Sequence, residues 1–175
     1  MTKFLTKAAL AATVATGLFA APAFAAPAGN SSFKANAKIV KPVTMTKATD
    51  LDFGTTTMRP TLTSATVTVG DTTGDLAVCS DNVMLTCSGG FPASFNLTSG
   101  VALQTVLISF DTPPTKLTNL DGLGGTVDFA LNPVENVVLN SSGAGSFNVG
   151  GEITVVAGTD DGLYSATVNV VANYL

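Results

Sequence analysis

The final stretch, Thr159 to Leu175 (TDDGLYSATVNVVANYL), limits the possible folds more than any other part of the chain. After the Asp160-Asp161-Gly162 turn signal, Tyr164, Ala166, Val168, Val170, Ala172 and Tyr174 alternate with Ser165, Thr167, Asn169, Val171, Asn173 and Leu175. A period of two sustained this long predicts a β-strand with one mostly apolar and one mostly polar face. Chain ends normally fray. A run this strand-forming, reaching an aromatic beside the last residue, points to a strand that completes a sheet or is read by a partner.

A second such run lies near the start. Phe33, Ala35, Ala37 and Ile39 alternate with Lys34, Asn36, Lys38 and Val40, giving one apolar and one largely basic side. Pro42 lacks the N–H a ladder needs, so the run is an edge strand or two short pieces with a bend. Val43, Met45 and Lys47 carry the alternation on, and Leu51-Asp52-Phe53-Gly54 reads as a short strand entering a turn. Further strands are expected at Thr61–Val69, Phe91–Leu97, Val101–Phe110, Lys116–Leu120, Thr126–Leu131 and Val134–Leu139, and from Phe147 through Ile153 and Val155. Asp75–Cys79 and Val83–Cys87 form a candidate hairpin about Ser80-Asp81-Asn82. The expectation is an all-β fold, an Ig-like Greek-key β-sandwich of about eight to ten short strands over residues 42–175.

The first residues read as a leader. Lys3 and Lys7 make a basic n-region, Ala8 to Ala20 an apolar h-region, and Ala23-Phe24-Ala25 an A-x-A cleavage signal. Residues 1–25 are thus an expected signal peptide, and the mature chain is expected to begin at Ala26, since Pro27 disfavours cleavage one residue later. The remaining ~150 residues suffice for one domain with a real core. No later apolar run approaches the ~18–20 residues of a membrane helix, and no cysteine marks a lipoprotein. The product is expected to pass through the periplasm to the cell surface or medium.

Charge is unevenly spread. Taking Lys3 and Lys7 from the net −4 leaves −6, yet Lys34, Lys38, Lys41 and Lys47 all precede the first acid, Asp50. From there twelve acids face only Arg59 and Lys116. An acidic, Arg-poor exported body is not a nucleic-acid partner. It carries a short basic arm, residues 26–41. Cys79 and Cys87 are the two cysteines. They suit one disulfide in an oxidising compartment, contributing roughly 2–3 kcal/mol for so small a loop.

Residue types exclude much chemistry. Without histidine there is no Ser-His-Asp or Cys-His arrangement and no imidazole metal site. No G-x-S-x-G, phosphate loop or EF-hand spacing occurs, and nothing pairs Glu135 with Glu152 as catalytic carboxylates. Asp71, Asp75, Asp160 and Asp161 read as turn residues rather than Ca²⁺ ligands. The N-x-S/T matches at Asn30, Asn96 and Asn140 are what a Ser/Thr-rich chain produces by chance. The expectation is no enzyme, no metal and no cofactor.

The terminal strand resembles that of bacterial chaperone–usher pilin subunits, with Tyr174 next to the last residue and Gly162 at the pilin glycine position near the end. Together with Leu51-Asp52-Phe53-Gly54 and Val149-Gly150-Gly151-Glu152-Ile153, it also resembles a functionally uncharacterised family of exported, pilin-like bacterial proteins, over about Ala35 to Leu175. Pilin cysteines usually bridge strands farther apart than these two. The resemblance implies a sandwich lacking one strand. A periplasmic chaperone, working with an outer-membrane usher, lends a strand, and the next subunit's N-terminal extension then replaces it. The donor would be Phe33, Ala35, Ala37 and Ile39. The groove would lie beside Gly162, Tyr164, Ala166, Val168, Val170, Ala172 and Tyr174. Partners would be further copies of the chain, head to tail, or other pilin-like subunits. Two alternatives stay open: that Phe33–Lys41 is the sandwich's own first edge strand, and that the protein is a monomeric secreted binding or adhesion module.

Overall fold

The computed structural model describes Gly29 and residues 31–175; the expected leader and the mature start at Ala26 lie outside them. The chain divides into two units, Met1–Ala37 and Lys38–Leu175. In the first, residues 31–37 are exposed and without regular structure. The period-two run around Phe33–Val40 is not a strand in this chain by itself. Residues 31–43 belong to no ladder, and Phe33 and Ile39 are 91% and 94% exposed. Alternation supplies a face, but a strand also needs a neighbour for its N–H and C=O groups.

The second unit is all-β. Fourteen strands are described: β1 (Thr44–Thr49), β2 (Thr55–Met58), β3 (Ser64–Val69), β4 (Val78–Cys79), β5 (Leu85–Ser88), β6 (Ala93–Thr98), β7 (Thr105–Asp111), β8 (Lys116–Asn119), β9 (Thr126–Leu131), β10 (Val137–Val138), β11 (Gly145–Val149), β12 (Gly151–Val156), β13 (Tyr164–Ser165) and β14 (Asn169–Tyr174). The count exceeds the expected eight to ten because several runs break where they change sheets. All the strand pairs are antiparallel.

The sheets run β1-β6-β11, β10-β7-β14, β13-β8-β9-β12-β3-β4 and β2-β5. The first two enclose a core of Leu97, Val106, Ile108, Leu139, Phe147 and Val149. The last two enclose another, of Val67, Leu85, Val127, Phe129, Ile153 and Val155. The buried positions fall at every second residue, as in β3, where Ala65, Val67 and Val69 are buried while Thr66 and Thr68 are half-buried. Leu51 and Leu131 touch both cores and join them.

Six connections pass between the two pairs of sheets: β1 to β2 through Leu51–Gly54, β5 to β6 through 89–92, β7 to β8 through 112–115, β9 to β10 through 132–136, β11 to β12 at Gly150, and β13 to β14 through 166–168. The crossing at Gly150 is the tightest. A Cβ there would stand 2.3 Å from the Val69 carbonyl oxygen and 2.5 Å from that of Gly70. The Gly150 carbonyl accepts the Asn132 N–H at 3.0 Å, so the crossing's backbone is partly satisfied inside the fold. At β1–β2, Leu51-Asp52-Phe53-Gly54 forms only a single bridge, Asp52 to Phe91, before the turn at Gly54.

The disulfide Cys79–Cys87 is present, with 5.8 Å between Cα atoms. It does not close a hairpin. Cys79 lies on β4, which pairs with β3, and Cys87 on β5, which pairs with β2, so the bond links two sheets. The reason lies in Asp81. Its Oδ1 accepts the N–H groups of Val83 and Met84, and its carbonyl accepts that of Leu85, coiling the connection and turning β5 away from β4.

Replacing Gly150 by alanine is expected to lower stability by about 1–3 kcal/mol, because the added methyl meets backbone that cannot swing aside. Urea unfolding of the variant, with an unchanged m-value and a lower midpoint, would show it.

Candidate functional site

The terminal strand starts from a turn held by its neighbours. Gly162 has φ +141°, and a Cβ there would sit 2.6 Å from Asn119 Nδ2 and 2.8 Å from Asp121 Oδ2. Asn119 is the only buried polar side chain among the described residues. Its Nδ2 donates to the Asp161 carbonyl (3.1 Å), and its Oδ1 accepts the Asp121 N–H (2.8 Å). Asp121 Oδ2 then accepts the Leu163 N–H at 2.8 Å. These bonds set the phase in which Tyr164 faces inward.

The phase holds to the end. Tyr164, Ala166, Val168, Val170, Ala172 and Tyr174 are all half-buried, and each residue between them is exposed. The hydrogen bonding is not continuous, however. β13 pairs with β8 and β14 with β7, while Ala166, Thr167 and Val168 belong to no ladder. The segment breaks because it passes from one sheet to the other. Two tyrosines anchor its ends: Tyr164 Oη donates to the Asp160 carbonyl, and Tyr174 Oη accepts the Val101 N–H, both at 2.8 Å.

Alongside this segment lies an open cleft of about 880 Å³. One wall is Tyr164, Ala166, Val168 and Val170; the other is Met45, Leu51, Phe53 and Met58. Both cores show in its floor, through Phe129, Ile153 and Val155 of one and Ala93, Phe95 and Val149 of the other. The walls run in opposite directions. Val43 and Met45 pack on the core that holds Val170, Ala172 and Tyr174, whereas Phe53 and Met58 pack on the core that holds Tyr164, Ala166 and Val168. β1, β13 and β14 are each at the end of a sheet and so have an unpaired edge.

The polar residues of the cleft are lopsided. Asp50, Asp52, Asp160 and Asp161 line it, with Lys47 the one cation among the lining residues. Lys47 Nζ pairs with Asp50 at 2.5 Å, both side chains more than half exposed. Asp50 and Asp52 border the same depression as Leu163, Tyr164 and Ser165, so the acids gather at the Tyr164 end.

Residues 43–174 match a family model described as a domain of unknown function, DUF4402. The chain belongs to that family. No curated protein and no solved structure matches it. The expected resemblance was finer than this, for no pilin or chaperone–usher family is identified. The DUF4402 match takes in both walls of the cleft and begins after the basic arm.

The cleft brings together the inward half of the terminal strand and Leu51-Asp52-Phe53-Gly54, which the sequence offered as separate features. The arm residues Phe33, Ala35, Ala37 and Ile39 are exposed and lie outside the matched span. Glu152 accepts the Thr68 hydroxyl at 3.1 Å, and Asp75 caps the Thr72 N–H at 3.0 Å, as turn and surface residues do. Among the described residues no helix is long and apolar enough to cross a membrane. Sequence reasoning missed Asn119 and the gathering of four acids, because both depend on partners brought from distant parts of the chain.

Replacing Tyr174 by phenylalanine keeps the ring and removes the acceptor for the half-buried Val101 N–H. The expected cost is about 1 kcal/mol, read in urea unfolding, with faster amide exchange at Val101.

Proposed function

We propose that this chain is a non-enzymatic structural subunit of an extracellular filament or surface coat, exported through its leader and assembled by β-strand donation. The cleft is the observation that carries the reading. Four inward-facing side chains of the terminal segment, Tyr164, Ala166, Val168 and Val170, line the cleft and stay only half-buried, with no described residue covering them there. Ala166–Val168 lack a ladder, and the neighbouring strands keep open edges. An apolar cleft between open edges is a liability in a solitary domain, and a fitting receptor for an added strand.

The arm has the character of the missing strand. Phe33 and Ile39 are almost wholly exposed, and burying each against the floor would contribute roughly 1.5–3 kcal/mol. Ladder bonds to the open edges would add to this. In transit, a periplasmic chaperone would hold the same cleft by lending a strand, before an outer-membrane usher brings subunits together. Further copies or related subunits would then follow head to tail, a non-closing contact that builds a fibre.

The test compares the mature chain with one starting at Pro42, both exported to the periplasm and run unboiled on denaturing gels. Heat-sensitive ladders are expected from the full chain, and a folded monomer from the shortened one. A full chain that is a stable monomer, and that unfolds on truncation, would make the arm an internal strand and leave a monomeric binding module as the reading.

A further inference from the structure

We infer that the outward face of the sheet β10-β7-β14 is a self-association surface, on which two copies of this chain pack face to face about a two-fold axis along the strands. The contact uses neither the cleft nor the arm. Val138, Leu107 and Val171 project outward from the three strands, Leu175 follows β14, and all four are exposed. The outward positions between them are Thr105, Ser109, Asn169 and Asn173, and Asp111 at one end is the single charge on the face. The other sheets differ in kind. Across the same core, β1-β6-β11 turns outward the rows Thr46–Asn96–Ser146 and Thr49–Ser94–Asn148, all side chains that water satisfies. The six-stranded sheet turns outward Lys116, Asp128 and Glu152. Contiguous exposed aliphatics mark an interaction site more often than scattered ones. Leu103, in the turn before β7, points the same way. Its φ is +59°, where glycine or asparagine would sit at lower cost, yet it holds a leucine side chain that is 68% exposed. Its N–H donates to the Asn140 carbonyl at 3.3 Å, which places it at the β10 end of the face.

Charge and relief identify a second copy as the occupant. From Thr44 onward the chain carries twelve acids against Lys47, Arg59 and Lys116, so two copies repel wherever their charged surfaces meet. A nearly uncharged face is where like bodies touch without that cost. The relief is self-complementary. On β7 and β14 the opposed pairs are Thr105–Leu175, Leu107–Asn173, Ser109–Val171 and Asp111–Asn169. In the first three an aliphatic stands beside a smaller polar residue, and the aliphatic changes strand from row to row. A half-turn about an axis midway between the two strands lays β7 of one copy over β14 of the other. Leu107 then inserts between Leu175 and Val171 of the second copy, above its Asn173. The lone Asp111 meets the amide of Asn169 rather than another carboxylate. Interdigitation of this kind is how two sheet faces pack about 10 Å apart.

The contact is isologous and closes at two, so one partner uses up each face. A patch of a few aliphatics covers on the order of a few hundred Å², well under the ~800 Å² per partner of a stable complex. The pair is therefore weak between single chains. Along subunits already lined up in a filament the same contacts would add, joining two filaments side by side.

Mature chains carrying N173C, or N96C on the opposite sheet, would be treated with a short bis-maleimide and boiled before denaturing electrophoresis. The natural cysteines are both held in the disulfide, so the introduced thiol is the one that reacts. Covalent dimer is expected from N173C in roughly ten-fold excess over N96C. Boiling dissolves any strand-donated ladder, so the result reads the face whether or not the arm polymerises the chain. Equal yields from the two variants, or no dimer from N173C, would overturn the inference and leave strand donation untouched. Adding L107K to the N173C chain is expected to cut the dimer roughly ten-fold, with an unchanged urea midpoint showing that the fold is intact. An undiminished dimer in that variant would overturn the packing of Leu107 between Leu175 and Val171. Flotation of the unsubstituted chain with phosphatidylcholine vesicles, abolished by L107K, would assign the face to a bilayer and overturn the inference as well.

Discussion

Each segment that passes between the two pairs of sheets must give up one set of ladder bonds before it takes up another, and the rest of the domain follows from how each does so. At Gly150 the exchange is immediate: β11 ends and β12 begins with one residue between them, pressed on the backbone of Val69 and Gly70. Only glycine leaves room for that approach. The crossing lies between two buried strands, so its polar groups must be met inside the protein, as Asn132 does for the Gly150 carbonyl. The crossings at Leu51–Gly54 and Ala166–Val168 are looser. One makes a single bridge and the other none. They form the two walls of one cleft, so the opening is a product of topology rather than of a poorly packed core.

The same arrangement explains why apolar side chains remain half-buried. Tyr164, Ala166 and Val168 lean on one core and Val170, Ala172 and Tyr174 on the other. Tyr164, Ala166, Val168 and Val170 have support beneath and face the open cleft. Natural sheets usually blunt such edges with charge, proline or a covering loop. Here the charge is present, as aspartates at one end of the cleft, but the apolar floor beyond it is left uncovered. The rim is acidic in balance, four aspartates against one lysine that is itself paired with Asp50, beside an apolar floor.

Much of this was legible in the sequence. The alternation from Tyr164 to Tyr174 gave the right inward face at every position, because a period of two survives a change of sheet so long as no residue is inserted. What it could not give was the break in the ladder, which depends on β7 and β8 competing for different halves of the segment. The Asp75–Cys87 region misled for a related reason. Two short β-runs about a polar turn look like a hairpin, but Asp81 coils the connection and the two runs join different sheets. The cysteine pairing was readable because only two thiols were available; that it staples sheets together was not. Phe33–Val40 shows the limit of periodicity, since its pattern is that of a strand while residues 31–43 belong to no ladder.

The family match sharpens what an occupant of the cleft must bring. It covers Val43 to Tyr174, and so both walls, but not the arm. The cleft and the basic arm are therefore separable parts of one chain. Backbone bonds to an open edge are nearly indifferent to sequence, so affinity can come from the domain alone, with specificity left to the side chains that alternate along the inserted segment. In this chain the arm offers a phenylalanine, two alanines and an isoleucine on one face and Lys34 and Lys38 on the other, ahead of a domain whose cleft is apolar within and acidic at one end.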